Sequence, residues 1–292
     1  MKSIIKVFQV AFVFIGTIVG AGLASGKEIT NFFTVYGYKS FFTIIMTGLF
    51  YIFLCNIISR ISIKHSLNSY SEVINTVSPN ILGKLTGIIT TFYLISSASI
   101  ILAGSGALLN QYFGIPNIIG SIFMAIIASL ILMRETDGLV EINSIIVPSL
   151  IIVTTTLMIL YVTFANDPIT IGSLVSSTPK LSKGVFTSGI LYCGYNILCC
   201  CGVIVPLSNE IKSKKIMTWG IILGSVLLTI ICIFINSMLM VNQPQIFQYE
   251  IPLLYIADRF GKPIQIMLLI IILSEMFSTA VSYTHLRAHE TV

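Results

Sequence analysis

The sequence predicts an all-α polytopic membrane protein. Of its 292 residues, 55% are hydrophobic and only 9% are charged, whereas a soluble domain carries about 25% charged residues. The mean hydropathy is +0.98. Long apolar runs recur between short polar segments, and several reach the length of about 20 residues that a helix needs to cross a bilayer.

Eight membrane spans follow from these runs. The first starts near Lys6, is interrupted around Gly20–Gly26 and continues as a half-helix to about Tyr36. A polar connection, 165–184, separates spans one to five from the rest. The other spans are predicted at Phe41–Ser59, Leu85–Leu109, Pro116–Met133, Ile142–Phe164, Val185–Val205, Ile216–Val241 and from Pro263 onward.

Charge and cysteine usage exclude several classes of function. The net charge of +5 comes from lysines scattered singly in loops, which predicts no nucleic-acid partner. The six cysteines lie in apolar spans and are predicted to be small buried side chains, neither disulfides nor metal ligands. The sequence has no catalytic triad and no phosphate loop, so we expect no enzyme and no cofactor. An enzyme would have to use the acidic turn at Glu135, Asp137 and Glu141.

The interruption of span one rests on glycine. Residues 7–26 contain no ionisable side chain, yet Gly16, Gly20, Gly22 and Gly26 fall within or at the end of this run. Each glycine in a helix interior costs about 1 kcal/mol relative to alanine. The alternative is a small-residue packing face, which Gly16 and Gly20 also fit. The two further glycines favour an interruption, which in a membrane requires protein, ion or water around the freed backbone.

A second candidate interruption lies at the equivalent place in the second half. Span six carries Gly194, Tyr195 and Asn196 near its middle. Five spans separate the starts of spans one and six, and an odd number inverts the second copy, as in transporters built from inverted repeats. The alternative is that Gly194 packs and Asn196 forms an interhelical hydrogen bond.

The motif Gly16-Thr-Ile-Val-Gly-Ala-Gly22 resembles the first-helix motif of the amino acid–polyamine–organocation superfamily, which has the LeuT-type fold. The run from Phe8 to Tyr38 is similar to the YkvI-type bacterial membrane proteins, and the likeness extends more weakly to about residue 280. This resemblance implies a secondary transporter of an amino acid- or amine-like solute that works by alternating access, with Na⁺ or H⁺ as coupling ion. It also implies two repeats of five spans, here 1–164 and an incomplete 185–280, and a bacterial cytoplasmic membrane. The bias of Lys and Arg places the N-terminus in the cytoplasm.

Substrate-binding residues are predicted where the two interruptions meet. The amides of Ala21, Gly22 and Leu23 begin a half-helix and suit a carboxylate. The second interruption adds Gly194, Tyr195 and Asn196, with Tyr93 and Ser97 as weaker candidates.

A coupling-ion site is predicted beside the substrate. Carbonyls near Gly16 and Val19 resemble the sodium ligands of LeuT-type carriers, and the same resemblance makes Ser278 and Thr279 their hydroxyl partners. Glu275 lies inside span eight on the face of Ser278 and Thr279. A carboxylate at this depth indicates a functional site, although a structural pair with Lys27 is the alternative.

Three further expectations concern the outer side, the end of the chain and the rival function. Glu28 and Asn31 share a helix face at the outer entrance, or are solvated there. A short amphipathic helix around 251–260 is predicted to lie on the surface and resembles the outer lid of the LeuT-type fold. Residues 281–292 resemble a translated sequencing adapter and are excluded from fold reasoning. The rival function is a small-molecule receptor on the same fold that does not transport, like the membrane subunits of spore-germination receptors.

Overall fold

The computed structural model describes residues 2–78, 80–132, 139–165, 168–177, 179–181 and 183–290, and these residues form thirteen α-helices and two short 3-10 helices. The 3-10 helices are Thr34–Tyr36 and Gln245–Gln248. The α-helices are α1 (Lys2–Ile18), α2 (Ala21–Ala24), α3 (Lys27–Phe32), α4 (Lys39–His65), α5 (Tyr70–Val77), α6 (Ile81–Phe113), α7 (Asn117–Leu132), α8 (Leu139–Phe164), α9 (Ile171–Ser176), α10 (Val185–Ile211), α11 (Lys214–Val241), α12 (Pro252–Asp258) and α13 (Lys262–Glu290).

Five of these helices are long and apolar enough to cross a membrane: α4, α6, α10 and α11 over their whole lengths, and α8 over Ile146–Phe164. This confirms the prediction of a helical, polytopic membrane protein. The acidic turn named above as the alternative catalytic cluster lies at 133–141, where residues 133–138 and the side chain of Glu141 are outside the described part of the chain.

The first span is interrupted where its glycines lie. Helix α1 ends at Ile18, α2 spans only four residues, and α3 begins at Lys27. Between α2 and α3, Gly26 has φ = +80°, a left-handed conformation that favours glycine. A Cβ atom at Gly26 would also lie 2.9 Å from Cγ of Leu253. The chain therefore turns twice inside the protein, first at Val19–Gly20 and again at Ser25–Gly26.

The predicted interruption of span six near 194–196 is wrong. Helix α10 runs without a break through Gly194, Tyr195 and Asn196. The amide of the Asn196 side chain donates to the carbonyl oxygen of Tyr192, one turn earlier, at 2.9 Å, and so leaves the helix intact. One glycine costs about 1 kcal/mol in a helix, whereas each backbone group freed in a bilayer costs several.

Helix α1 packs along α11, and the contacts fix their relative direction. Gly220 lies against Val10, and Gly224 lies against Phe14, with its Cβ position 2.8 Å from Cδ1 of that ring. Residue numbers rise together on the two helices, so α1 and α11 run parallel. The glycines let the helix backbones approach closely, as small residues do at helix contacts in membranes.

Helix α4 packs along α10 in the same parallel sense. Near its start α10 brings Gly189 against Thr43, and near its end Ser208 donates to the hydroxyl of Ser59 at 2.9 Å. Helices α1 and α4 are spans one and two, and α10 and α11 are spans six and seven. Exchanging span one with span six and span two with span seven therefore converts the α1–α11 pair into the α10–α4 pair. These two pairs are among the most closely packed in the described structure.

The short helix α12 does not lie on the surface as predicted. Leu253 and Leu254 are buried, and the amide of Leu253 donates to the carbonyl oxygen of Ser25 at 3.0 Å. Beside it, the ammonium group of Lys27 pairs with Glu250 at 3.0 Å. Apolar contact therefore seats α12 on the second turn of the interrupted span, where it covers that turn.

Substituting Gly224 with leucine is expected to destabilise the protein, because the new side chain would collide with α1. Overpacking of this kind costs about 1–3 kcal/mol. The measurement is the thermal unfolding midpoint in detergent. The matched control is Gly87→Leu on α6, where no atom lies within 4 Å of the Cβ position. Equal midpoints for both variants would contradict the close α1–α11 contact.

Candidate functional site

The carboxyl group of Glu28 is folded back into the interrupted first span. Glu28 is the second residue of α3, and its side chain lies directly over Gly22, where a Cβ atom would collide with Cγ, Cδ and Oε1 of the glutamate. Glycine at position 22 is therefore required for this placement. Oε2 of Glu28 is buried and has no hydrogen-bond partner among the described residues.

Three tyrosines from two other helices lie within electrostatic range of this carboxyl group. Tyr192 and Tyr195 come from α10 and Tyr51 from α4, and all three interact electrostatically with Glu28. The hydroxyl groups of Tyr192 and Tyr195 approach the carboxylate, but neither contact has the geometry of a formed hydrogen bond. All three hydroxyls are buried and, within the described residues, without a hydrogen-bond partner. We call Glu28, Tyr51, Tyr192 and Tyr195 the Glu28 site.

Aromatic rings form the walls of the Glu28 site. The rings of Tyr192 and Tyr195 meet edge to face with centroids 5.3 Å apart. Phe32 lies 5.3 Å from Tyr192 and 5.7 Å from Tyr195, and Tyr93 of α6 lies 6.0 Å from Tyr195. The tyrosines near the carboxyl group of Glu28 thus belong to a cluster of aromatic rings, and a carboxylate beside aromatic rings is a combination that suits a cation.

The tyrosines of the Glu28 site lie about halfway along the membrane-crossing helices α4 and α10. Tyr195 is ten residues beyond the first residue of α10, Val185, which places it about 15 Å along the axis. Tyr51 is twelve residues beyond the first residue of α4, Lys39, or about 18 Å. The hydrocarbon core is about 30 Å thick, so both tyrosines lie about halfway across it.

A second buried polar cluster, around Asn236, differs from the Glu28 site because its side chains form hydrogen bonds with one another. Asn236 of α11 accepts a hydrogen bond from the hydroxyl of Thr34 at 2.9 Å and donates to Ser40 at 2.8 Å. This network joins the first span, α4 and α11. Buried polar groups are hydrogen-bonded as a rule. Four of the nine buried side-chain atoms without a partner in the described structure belong to the Glu28 site, and a polar ligand would supply the partners that they lack.

The predicted substrate residues divide between the Glu28 site and its surroundings. Tyr195 belongs to it, and the side chain of Asn196 lies beside the hydroxyls of Tyr51 and Tyr192. Gly194 does not join them, because it is exposed and no atom lies within 4 Å of its Cβ position. Three residues were predicted to offer backbone amides at the start of the half-helix. Of these, Gly22 contacts Glu28, and Ala21 and Leu23 are buried.

The predicted ion-coupling residues lie on two segments, the first turn of the chain and α13. The carbonyl groups of Gly16 and Val19 accept no hydrogen bond from any described residue. Thr279 of α13 brings its hydroxyl oxygen to 3.6 Å from the Cβ position of Gly20. The side chain of Ser278 lies outside the described part of the chain. Thr279 of α13 therefore packs against the first turn, at the residue that follows Val19.

Glu275 is buried in α13 and is not paired with Lys27. Its residue exposure is 2%, and its Oε1 atom has no partner among the described residues. The alternative pairing with Lys27 is wrong, because that ammonium group binds Glu250 and the carbonyl oxygen of Tyr249. The hydroxyl of Thr279 donates to the backbone carbonyl of Glu275 at 2.7 Å.

Sequence reasoning missed part of the Glu28 site. Glu28 was predicted to share an outer face with Asn31, but Asn31 is exposed and Glu28 turns inward. Tyr192 was not singled out, although it precedes Tyr195 by three residues and therefore shares its helix face. Tyr51 carries no local signal, because only the packing of α4 against α10 brings it to the site.

The fold and the Glu28 site define a multi-pass membrane protein with a buried cluster of polar and aromatic side chains about halfway along two of its membrane-crossing helices. The chain is homologous to the uncharacterized membrane protein YkvI of Bacillus subtilis (strain 168), with 28% identity over 280 residues, 94% of this chain and 77% of that protein. The uncharacterized protein YyaD of the same organism is 25% identical over 245 residues, 84% of this chain and 69% of YyaD. No family model matches the chain.

Removing the Tyr192 hydroxyl and removing the Asn236 amide are expected to have opposite consequences for stability. Tyr192→Phe deletes a buried hydroxyl without a partner, so the unfolding midpoint should stay the same or rise. Asn236→Ala removes the amide that bonds to both Thr34 and Ser40, which keep only the carbonyl oxygen of Ile29 and the sulfur of Met240 as partners. The loss of each hydrogen bond costs about 0.5–1.5 kcal/mol. Thermal unfolding of both variants in detergent measures the difference. An equal loss in both would show that protein groups hold the Tyr192 hydroxyl.

Proposed function

We propose that this protein is a secondary active transporter of a small amino acid- or amine-like solute, working by alternating access. The observation that carries the proposal is the Glu28 site, where four unpartnered polar atoms meet near mid-membrane beside an interrupted helix. Interrupted helices at the bilayer midplane are where secondary transporters bind substrate and coupling ion. A purely structural polar cluster would be internally hydrogen-bonded, as that of Asn236 is.

Packing supports a five-span inverted repeat even though only the first span is interrupted. The α1–α11 and α10–α4 pairs are exchanged by swapping the halves, and both are parallel. The two first helices of the halves, α1 and α10, also contact each other. In this proposal the repeat supplies the two sides that move in alternating access, and α10 contributes side chains where α1 contributes freed backbone.

The charge of the Glu28 site favours a cationic group on the solute. A carboxylate already lies against Gly22, so the nearest anion belongs to the protein. An ammonium group would pair with the carboxylate of Glu28, lie against the ring faces of Tyr192 and Tyr195 and donate hydrogen bonds to their hydroxyl groups. The carboxylate of an amino acid would use the amides of Ala21 and Leu23, which donate to none of the described residues outside their own short helix.

Ion coupling is assigned to the first turn and α13. The carbonyls of Gly16 and Val19 with the hydroxyl of Thr279 are oxygen ligands for Na⁺, and Glu275 is the group that would carry H⁺ or complete the Na⁺ site. Helix α12 and the Lys27–Glu250 pair close this region on the side opposite to the start of α1. In this proposal the protein is not an enzyme, its N-terminus lies in the cytoplasm, and it resides in the bacterial cytoplasmic membrane.

The Glu28→Gln variant is expected to lose solute binding, because an ion pair in the membrane becomes a neutral contact. Hydrogen bonds to charged groups contribute about 1.5–3 kcal/mol, so affinity should fall roughly 10- to 100-fold. Uptake into proteoliposomes, with an imposed Na⁺ or H⁺ gradient, is measured for a panel of amino acids and amines and for their N-acetylated forms.

The control is Glu72→Gln, in which the side chain keeps an oxygen for the exposed amide of Asn68. N-acetylated solutes should fail in the unaltered protein because they lack the cationic amine. Binding of an amine without uptake would overturn transport and favour the receptor function. Equal uptake by the Glu28→Gln variant would overturn the assignment of the site.

The Glu275→Gln variant tests the coupling role separately. We expect solute binding to persist, whereas the dependence of uptake on the ion gradient disappears, because the variant no longer carries a titratable carboxyl group. Uptake is measured with and without each gradient, and exchange of preloaded solute serves as the control for a functional carrier. An unchanged gradient dependence would remove Glu275 from the mechanism.

A further inference from the structure

A basic groove lies between the end of α4 and the start of α11, away from the Glu28 site. It has a volume of about 290 Å³ and is lined by Arg60, Lys214, Lys215, Thr218 and Trp219. The two helices run antiparallel here, since Ser40 bonds to Asn236 while Gly48 contacts Thr229. The groove therefore lies on the side of the membrane where α1 begins.

Its depth corresponds to the edge of the hydrocarbon core. Gly48 and Thr229 touch near the middle of their helices. Arg60 lies twelve residues beyond Gly48, and Trp219 lies ten residues before Thr229, which places them about 18 Å and 15 Å along the two axes. Half of the hydrocarbon core is about 15 Å. Groups at this level face phospholipid headgroups.

The charge of the groove is uncompensated. Arg60, Lys214 and Lys215 are exposed, and none forms an ion pair within 4 Å with an acidic residue of the described chain, including Glu210 at the nearby end of α10. Three cations around one cavity repel one another at close range, and an anion bound among them removes that repulsion.

The exposed side chain of Trp219 favours a lipid over a soluble anion as the molecule bound in the groove. It is the single tryptophan of the sequence and is 56% exposed. Tryptophan is enriched at membrane interfaces, where its ring contacts both headgroups and acyl chains. A free phosphate ion would use the three cations alone, whereas a phospholipid would use the cations for its phosphate and the indole ring for its glycerol and upper chain.

We propose that this groove binds the phosphate-bearing headgroup of an anionic phospholipid in the leaflet on the side where α1 begins. Basic pockets between membrane helices recognise anionic headgroups. The groove joins α11, which packs on α1, to α4, which packs on α10. A bound headgroup therefore bridges the two helix pairs at their common edge.

The single tryptophan provides a local probe of this site. The purified full chain is placed in nanodiscs of phosphatidylcholine, and Trp219 fluorescence is recorded as brominated phosphatidylglycerol or brominated phosphatidylcholine is added. Each basic side chain near the surface contributes about a fivefold preference for anionic lipid. We therefore expect half-maximal quenching at a phosphatidylglycerol fraction at least fivefold lower than for phosphatidylcholine.

The variant that tests the cations combines Arg60→Gln, Lys214→Gln and Lys215→Gln. Its Trp219 fluorescence should be quenched equally by both brominated lipids. Its charge-matched control, Lys39→Gln with Lys183→Gln and Lys262→Gln, should keep the preference. If the triple variant does not fold, raising NaCl from about 0.05 M to about 1 M in the unaltered protein should abolish the preference, because the screening length falls to about 3 Å.

Two results would overturn the proposal. Equal quenching of the unaltered protein by both lipids would show that the groove has no headgroup preference. Loss of the phosphatidylglycerol preference on adding inorganic phosphate at about the concentration of the lipid would assign the groove to a soluble anion instead. Neither result bears on solute uptake, which the Glu28→Gln and Glu275→Gln variants test on their own.

Discussion

The cost of unpaired backbone groups in a bilayer is the constraint on which the rest of this structure depends. Helix α1 stops at Ile18 and the chain turns again at Gly26, so amides and carbonyls are released at membrane depth. Lipid gives them no partners. The protein must therefore surround this segment, and it does so with α10, α11, α13 and the short helix α12. The position of these helices follows from the need to enclose one interrupted span.

Polar side chains in this enclosure fall into two groups with different consequences. Thr34, Ser40 and Asn236 satisfy one another and hold the first span to α4 and α11. The groups of the Glu28 site do not satisfy one another, although they are equally far from water. Leaving a buried polar group unpaired costs about 1–3 kcal/mol. A ligand that bonded to these four atoms would remove this cost, which is why the functional proposal rests on them.

The second predicted interruption is absent, although the helices of the two halves pack in corresponding pairs. Gly194 and Asn196 lie where an inverted repeat would place a break, yet α10 continues through them because Asn196 bonds within its own helix. The two halves resemble each other in how α1 packs on α11 and α10 on α4. They differ in what they give the Glu28 site, since the first half supplies the interrupted backbone, the carboxylate of Glu28 and the phenol of Tyr51, whereas the second supplies the phenols of Tyr192 and Tyr195.

The sequence by itself determined the class of protein, the positions of the five long apolar helices and the place of the first interruption. These are local properties: hydropathy over about 20 residues decides a span, and clustered glycines decide where a helix fails. It also singled out Glu275, because a carboxylate inside an apolar run is conspicuous, whereas Thr279 was indicated by the family resemblance and Tyr195 by its place beside the second predicted interruption.

Only the tertiary structure decided which of these residues meet. Tyr51 reaches Glu28 through the packing of α4 on α10, and Lys27 pairs with Glu250 across more than two hundred positions of sequence. The inward turn of Glu28 depends on Gly26 having a positive φ and on Gly22 having no side chain. Those contacts are long-range consequences of packing, and no pattern along a single helix encodes them.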